Sequence, residues 1–387
     1  LKVVINRTDA IGDTLLTLPV AFEIKRRYPQ AHITFLVSQR VAPLLENLPY
    51  VDHVWIWAAN YSGLTNISRL WRLFREQKPD VFIHIGGKLY PAFVAWLLRV
   101  SIRCGLKSRW QTFLFLNQGE RQSRSMAMMH ESQYNINLLA PLNISYEDSM
   151  LQDWHGKLLN CSAQELTTFK ISLDAIYTKL NWPRNIPYVV IHPGMSGHTL
   201  NWPLINYARL IKRLLRYYPG QLGIFLSHSP ADKNTISALK NYLSDLTPEL
   251  AKNLFYFNGA DEGLRHFLMI LKNAALFIGP STGPAHMANM VASRGIYIYS
   301  PIKTQSAKRW GPLHRTPETK VMVPDVICGE INKCTGSLCP YYECLPKIEV
   351  EEVFKHSENL LHQIDLHARA PEVASTDRTD GDNLENE

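Results

Sequence analysis

Short unbroken apolar runs alternate along the chain with segments whose apolar residues fall at helical spacing. The run KVVIN at residues 2–6 predicts a buried strand. Residues 14–27, with Leu15, Leu16, Leu18, Ala21, Phe22 and Ile24, predict one helix after it. The order then repeats: strand HITFLV, short helix VAPLLENL, strand HVWIW, helix NISRLWRLFREQ, strand DVFIHIGG, helix YPAFVAWLLRV and strand IRCGL. Alternation of this kind implies parallel strands joined by right-handed crossovers.

Polar sequence over residues 143–184 interrupts the series and reads as a helical connection, SAQELTTFKISLDAIYTKL. A second series follows, with strands YVVIHPG, QLGIFLSHS, LFYFNG, ALFIGP and GIYIYSP separated by helical segments. EVEEVFKHSENLLHQIDLHA predicts a terminal helix, and the polar, acidic end predicts disorder. The fold class expected is α/β: two doubly wound Rossmann-like halves facing each other across a cleft, with ligands at the carboxyl ends of the strands. The expected domains are residues 1–170 and 171–348, then a helix at 349–370 and an acidic tail at 371–387.

A length of 387 residues suffices for two ordinary domains with full cores. Hydrophobic residues make up 46% and charged residues 19%, the balance of a soluble globular protein. No apolar stretch reaches the roughly 18 residues of a membrane span. The start, LKVVINRTD, lacks the organisation of a signal peptide, so the expected compartment is the cytoplasm.

The net charge of +7 is unevenly placed. Through His130, 17 Lys and Arg stand against 8 Asp and Glu, whereas residues 371–387 hold 6 acids and one Arg. A basic front half suits an acidic partner. Arg99, Arg103, Lys107, Arg109, Arg121 and Arg124 fall in one stretch with Trp110, Phe113 and Phe115 interleaved. That stretch reads either as a surface for anionic lipid or as a solvated face over core aromatics. A nucleic-acid role fits the charge, but no recognisable module supports it, and no nucleic-acid partner is expected.

Cys104 and Cys161 read as isolated buried thiols. Cys328, Cys334, Cys339 and Cys344 are separated by five, four and four residues. Two of these gaps fit zinc pairs, yet no second tight pair stands apart from the first. Reduced thiols in a packed loop are the favoured reading, and no metal is expected.

Each motif that could carry chemistry follows a strand. NRTDAIGDTLLTLP lacks the dinucleotide fingerprint and the Walker pattern, but it sets Asp9 and Asp13 around Gly12 at a helix start. Asp13 is either a helix cap or a general base at the mouth of the cleft, and the residues alone favour the cap. HPGMSGHTLNWP offers Gly194, Ser196 and Gly197 as a loop able to approach phosphate, with Trp202 structural. In FIGPSTGPAHMANM, Ser281, Thr282 and Gly283 precede a helix whose first unpaired amides favour an anion, and His286 adds a donor. A hydroxyl cap or a core histidine would explain either feature alone; together at a strand's carboxyl end they favour phosphate. Lys303, Lys308 and Arg309 in SPIKTQSAKRWGPL are either solvated charges or neutralise the same diphosphate.

These motifs, in this order, resemble the ADP-heptose:lipopolysaccharide heptosyltransferases, glycosyltransferase family 9. The resemblance rests on DAIGDTLLTLP, on HPG followed by NWP, on STGPAHMA and on RWGPL, and it covers residues 1–367. It implies a GT-B fold, with acceptor bound mainly by the first domain and sugar nucleotide mainly by the second. It implies inverting transfer by direct displacement, with no metal or other cofactor, onto a lipid-linked oligosaccharide. It places that work at the inner face of the cytoplasmic membrane, in peripheral contact with an anionic surface. The aspartate of IGD, Asp13, is then the general base, a role worth roughly 10²–10⁴-fold in rate. Thr282, Gly283 and His286 then hold the leaving diphosphate, with Ser196 and Ser281 as further donor contacts. Two positions depart from the family pattern: Leu200 stands where many members carry Lys or Arg, and Ser281 where many carry Asp.

The sequence thus predicts a metal-independent, inverting transfer of heptose from ADP-heptose to a lipopolysaccharide core-type acceptor. One alternative is a UDP- or GDP-linked donor on the same fold. Another, kept open by Leu200, is a non-catalytic relative that binds sugar nucleotides without turnover.

Overall fold

Six parallel strands form the first sheet: β1 (Lys2–Arg7), β2 (His32–Ser38), β3 (His53–Trp57), β4 (Val81–Gly86), β5 (Ile102–Leu106) and β6 (Gln118–Glu120). Their order is β3-β2-β1-β4-β5-β6. Six more form the second: β7 (Tyr188–Ile191), β8 (Gly223–His228), β9 (Leu254–Asn258), β10 (Leu276–Pro280), β11 (Gly295–Ile298) and β12 (Thr319–Met322). Read from β9, the second order is β9-β8-β7-β10-β11-β12, the same winding as the first. The computed structural model describes residues 1–363 except 184–185, 196, 198–199, 292–293 and 329–333.

The central strands are largely apolar because helices cover both sheet faces; β4 and β10 are buried almost throughout. Winding reverses between β1 and β4 in one sheet and between β7 and β10 in the other. These are the switch points where a doubly wound sheet opens a crevice for ligand. Two such lobes across a cleft make a GT-B fold.

Local chemistry explains where the elements depart from the periodic pattern. Residues 14–27 are not one helix but two, Ile11–Leu15 and Leu18–Arg27. Pro19 lies in the first turn of the second and lacks the N–H that would have bonded back to the Leu15 carbonyl. The edge strands β6 and β12 carry no apolar run: QGE is polar, and TKVM is largely half-buried.

The connection is the helix Ala163–Leu180, started by a reciprocal cap between Ser162 and Glu165. Residues 170 and 171 both lie inside it. The terminal helix Val350–His362 packs on Leu204–Tyr217, helped by Arg213 on Glu351. Trp202, buried, donates its indole N–H to the Ile348 carbonyl at 2.9 Å, the structural role read from the sequence. The expected disordered tail at 371–387 lies outside the described residues. Among the described residues, no helix is long and apolar enough to cross a membrane.

Candidate active site

The first-lobe half of the site begins where β1 ends on Arg7. Residues 8–10 turn into the helix Ile11–Leu15, whose cap residue is Ala10. Asp13 lies in the first turn and its carboxylate sits on the Arg7 guanidinium, not on the helix amides. The capping alternative therefore does not hold. Arg7 is buried; its Nε lies 3.2 Å from Asp9 Oδ2, and its Nη1 donates to the Ile85 carbonyl at 3.2 Å. One buried cation thus serves two carboxylates. Burial pushes the Asp9 carboxyl up, Arg7 opposes that and Asp13 adds to it. The Asp13 side chain keeps 26% exposure and lines the cleft.

The second-lobe half begins where β10 ends at Pro280. Thr282 takes the cap position of the helix Gly283–Met290 in extended conformation, but its hydroxyl turns back to the Pro280 carbonyl at 3.2 Å. The first-turn amides therefore carry no side-chain cap, which leaves a positive helix end for an anion. This end meets the first lobe head-on. A Cβ on Gly12 would lie 2.7 Å from His286 Cδ2, and a Cβ on Gly283 would lie 3.0 Å from Ile11 Cβ. Glycine at both places lets the two helix starts approach.

His286 is buried, and burial, helped by His130, drives its pKa down to about 3. The ring is therefore neutral at physiological pH and offers a hydrogen bond without a charge. His192, the histidine of HPG, is also buried and held down to about 4, with Nδ1 3.0 Å from Ser227 Oγ.

Asp13, Ser281, Thr282, Gly283 and His286 all line one cleft of about 1040 Å³ between the lobes. Ser196 lies outside the described residues. Thr304, Gln305 and Trp310 represent the loop after β11 in that lining; Lys303, Lys308 and Arg309 are not part of it. Lys308 is exposed, and Arg309 instead places Nε 2.9 Å from Glu131 Oε2 of the first lobe. Leu200 packs on the second lobe's core and faces a separate cavity of about 300 Å³, shared with Cys328, Cys334, Cys339 and Cys344. Burial pushes the Cys328 and Cys344 thiols up. Among the described residues, no group of three His, Cys, Asp or Glu is set to hold a metal.

Several groups escaped the sequence reading. Arg7 stands two residues before Asp9, a visible signal once its side chain is known to turn inward. Glu131 had no signal: it is a single acid in MHESQ, yet it is 1% exposed and accepts from Arg124 Nη1 at 2.6 Å. Arg124 is consequently buried and leaves the basic surface on which the sequence had placed it. Arg103 is likewise occupied by the Phe115 and Val100 carbonyls. A second cavity of about 800 Å³ adjoins the cleft at Asp9, with Lys88, Tyr90 and Arg109 in its wall.

Residues 67–322 match the model of glycosyltransferase family 9 (heptosyltransferase). Lipopolysaccharide heptosyltransferase 3 of Escherichia coli strain K12 is 24% identical over 308 residues, covering 74% of this chain and 79% of that one. The structure of the Escherichia coli ADP-heptose LPS heptosyltransferase II superposes with a TM-score of 0.71 at 19% identity, over 94% of this chain and 99% of that one. A family 9 glycosyltransferase from Veillonella parvula gives 0.73 at 17% identity, over 94% and 97%.

Proposed function

The chain belongs to glycosyltransferase family 9, the heptosyltransferases, and from that premise we propose that it moves heptose from ADP-heptose onto a lipopolysaccharide core-type acceptor, with inversion and without a metal. The single observation carrying this reading is that Asp13 of one lobe and the Ser281–Gly283 helix start of the other line the same cleft.

The acceptor hydroxyl attacks the anomeric carbon from the face opposite the diphosphate, and Asp13 takes its proton. The carbon–oxygen bond to the diphosphate breaks in the same displacement. Charge then grows on the leaving oxygen, where the uncapped amides of the Gly283–Met290 helix, the Ser281 and Thr282 hydroxyls and neutral His286 stabilise it. Arg7 holds Asp13 in place for the transfer. Lys88 and Arg109, in the adjoining cavity, suit an anionic acceptor. Leu200 packs away from the cleft, so its lack of charge does not weigh against donor binding.

The acceptor is lipid-linked, and the protein works on it from the cytoplasmic side of the membrane. The short helix Trp110–Phe115 suits contact with the bilayer: Trp110 is 74% exposed and Phe113 45%.

Asp13→Asn tests the reading. Transfer is expected to fall by roughly 10²–10⁴-fold, while ADP-heptose still protects the variant against thermal unfolding as it protects the parent. Transfer at the parental rate would rule Asp13 out as the base. Stronger protection by UDP- or GDP-sugars would reassign the donor.

A further inference from the structure

Two neighbouring residues of the first lobe grip the loop that follows β11. His130 Nε2 lies 3.0 Å from the Gly311 carbonyl, and Glu131 Oε2 accepts from Arg309 Nε at 2.9 Å. The other Glu131 oxygen accepts from Arg124 and lies 3.8 Å from Arg7 Nη2. That same Arg7 nitrogen carries Asp13. A line of alternating charge therefore runs from Arg309 through Glu131 and Arg7 to Asp13. At its outer end the Arg309 guanidinium lies 4.5 Å over the Trp310 ring, and the Trp310 indole donates to the Thr304 carbonyl at 2.9 Å. Trp310 and Thr304 both line the cleft.

We propose that Glu131 is a positioning residue which makes the orientation of Asp13 conditional on contact between the lobes, with Arg309 as the reporter from the donor side. The inference rests on the reading of Asp13 as base. A buried carboxylate is costly unless cations compensate it. Arg124 is supplied by the same lobe and stays with Glu131 whether the cleft is open or closed. Arg309 arrives only when the lobes meet. With the lobes apart, Arg7 is the nearest remaining cation, and it turns from Asp13 toward Glu131. With the lobes together, Arg309 satisfies Glu131 and Arg7 stays on Asp13. The base is thus assembled only when the donor lobe is seated, so closure and chemistry are linked. Burial alone would raise the Glu131 carboxyl, but Arg124, Arg309 and Arg7 hold it below the usual range, so it remains ionised in the closed form.

The test uses Arg309→Gln, Glu131→Gln and the double variant of the full chain, with thermal unfolding as the control for folding. Each single change is expected to lower kcat roughly tenfold to a hundredfold while KM for the donor and the calorimetric affinity for ADP stay at the parental level. The double variant should be no worse than the poorer single, and Arg309→Lys should recover part of kcat. Lost ADP affinity in Arg309→Gln would overturn the proposal and return Arg309 to the diphosphate. Additive losses in the double variant, or an unchanged kcat, would also overturn it. If Asp13→Asn turns over normally, the base assignment has failed. If Asp13→Asn is inactive and Arg309→Gln is not, only the coupling has failed.

Discussion

Gly12 and His286 show how finely the two lobes are matched. A methyl group at residue 12 would fall 2.7 Å from a ring carbon of the buried His286. Gly12→Ala is therefore expected to displace His286 or part the lobes, lowering kcat by roughly 10²-fold. Overpacking of this size costs about 1–3 kcal/mol, so thermal unfolding should shift only modestly while steady-state kinetics collapse. The glycine was visible in DAIGDT, but its reason was not, since the ring it accommodates lies in the other lobe. The same holds for Asp13, whose motif marked a site while its partner Arg7 belongs to a strand. Arg309 was read as a solvated charge or a diphosphate contact because Glu131, 178 residues away, leaves no mark on the local pattern.

Among the elements, the helix Trp110–Phe115 stands out for what it leaves uncovered. Trp110, Phe113 and Leu114 are exposed, and the Lys107 and Arg121 cations lie 5.5 and 4.8 Å from the Phe113 ring centre. An apolar ridge flanked by cations suits an anionic interface. Trp110→Glu with Phe113→Glu is expected to abolish co-sedimentation with anionic vesicles while transfer to a water-soluble acceptor continues. Co-sedimentation unchanged from the parent would leave this helix without a membrane role. The interleaved aromatics were legible in sequence, but the helix itself was not: six residues are too few for a periodicity to emerge. Most strands were read correctly because both faces of each sheet are covered, which makes them largely apolar runs. Only the polar β6 and the half-buried β12 escaped that rule.

Over the whole molecule, buried histidines set the response to acid. His286 is held down to about 3, and His84, His192 and His314 to about 4, in each case chiefly by burial. The unfolded chain protonates these rings near 6.5, whereas the folded chain does not until far lower pH. The unfolded state therefore binds more protons in between, and stability rises with pH across that window. Their contribution is complete above about pH 6.5 and is lost as pH falls toward 4. The midpoint of thermal unfolding should be flat above pH 7 and fall steeply below 6.5, with a shallower fall in His314→Gln. A slope identical to the parent's would show that His314 takes no part.

The connection between the lobes has a mechanical corollary. Tyr50 of the first lobe holds the Leu158 carbonyl, whereas Arg265 of the second holds the Asn160 carbonyl at 3.1 Å and clamps Glu165. The terminal helix rides entirely with the second lobe. Any widening of the cleft that keeps these anchors must then turn about the backbone torsions of Leu159 and Asn160, a fulcrum two residues long.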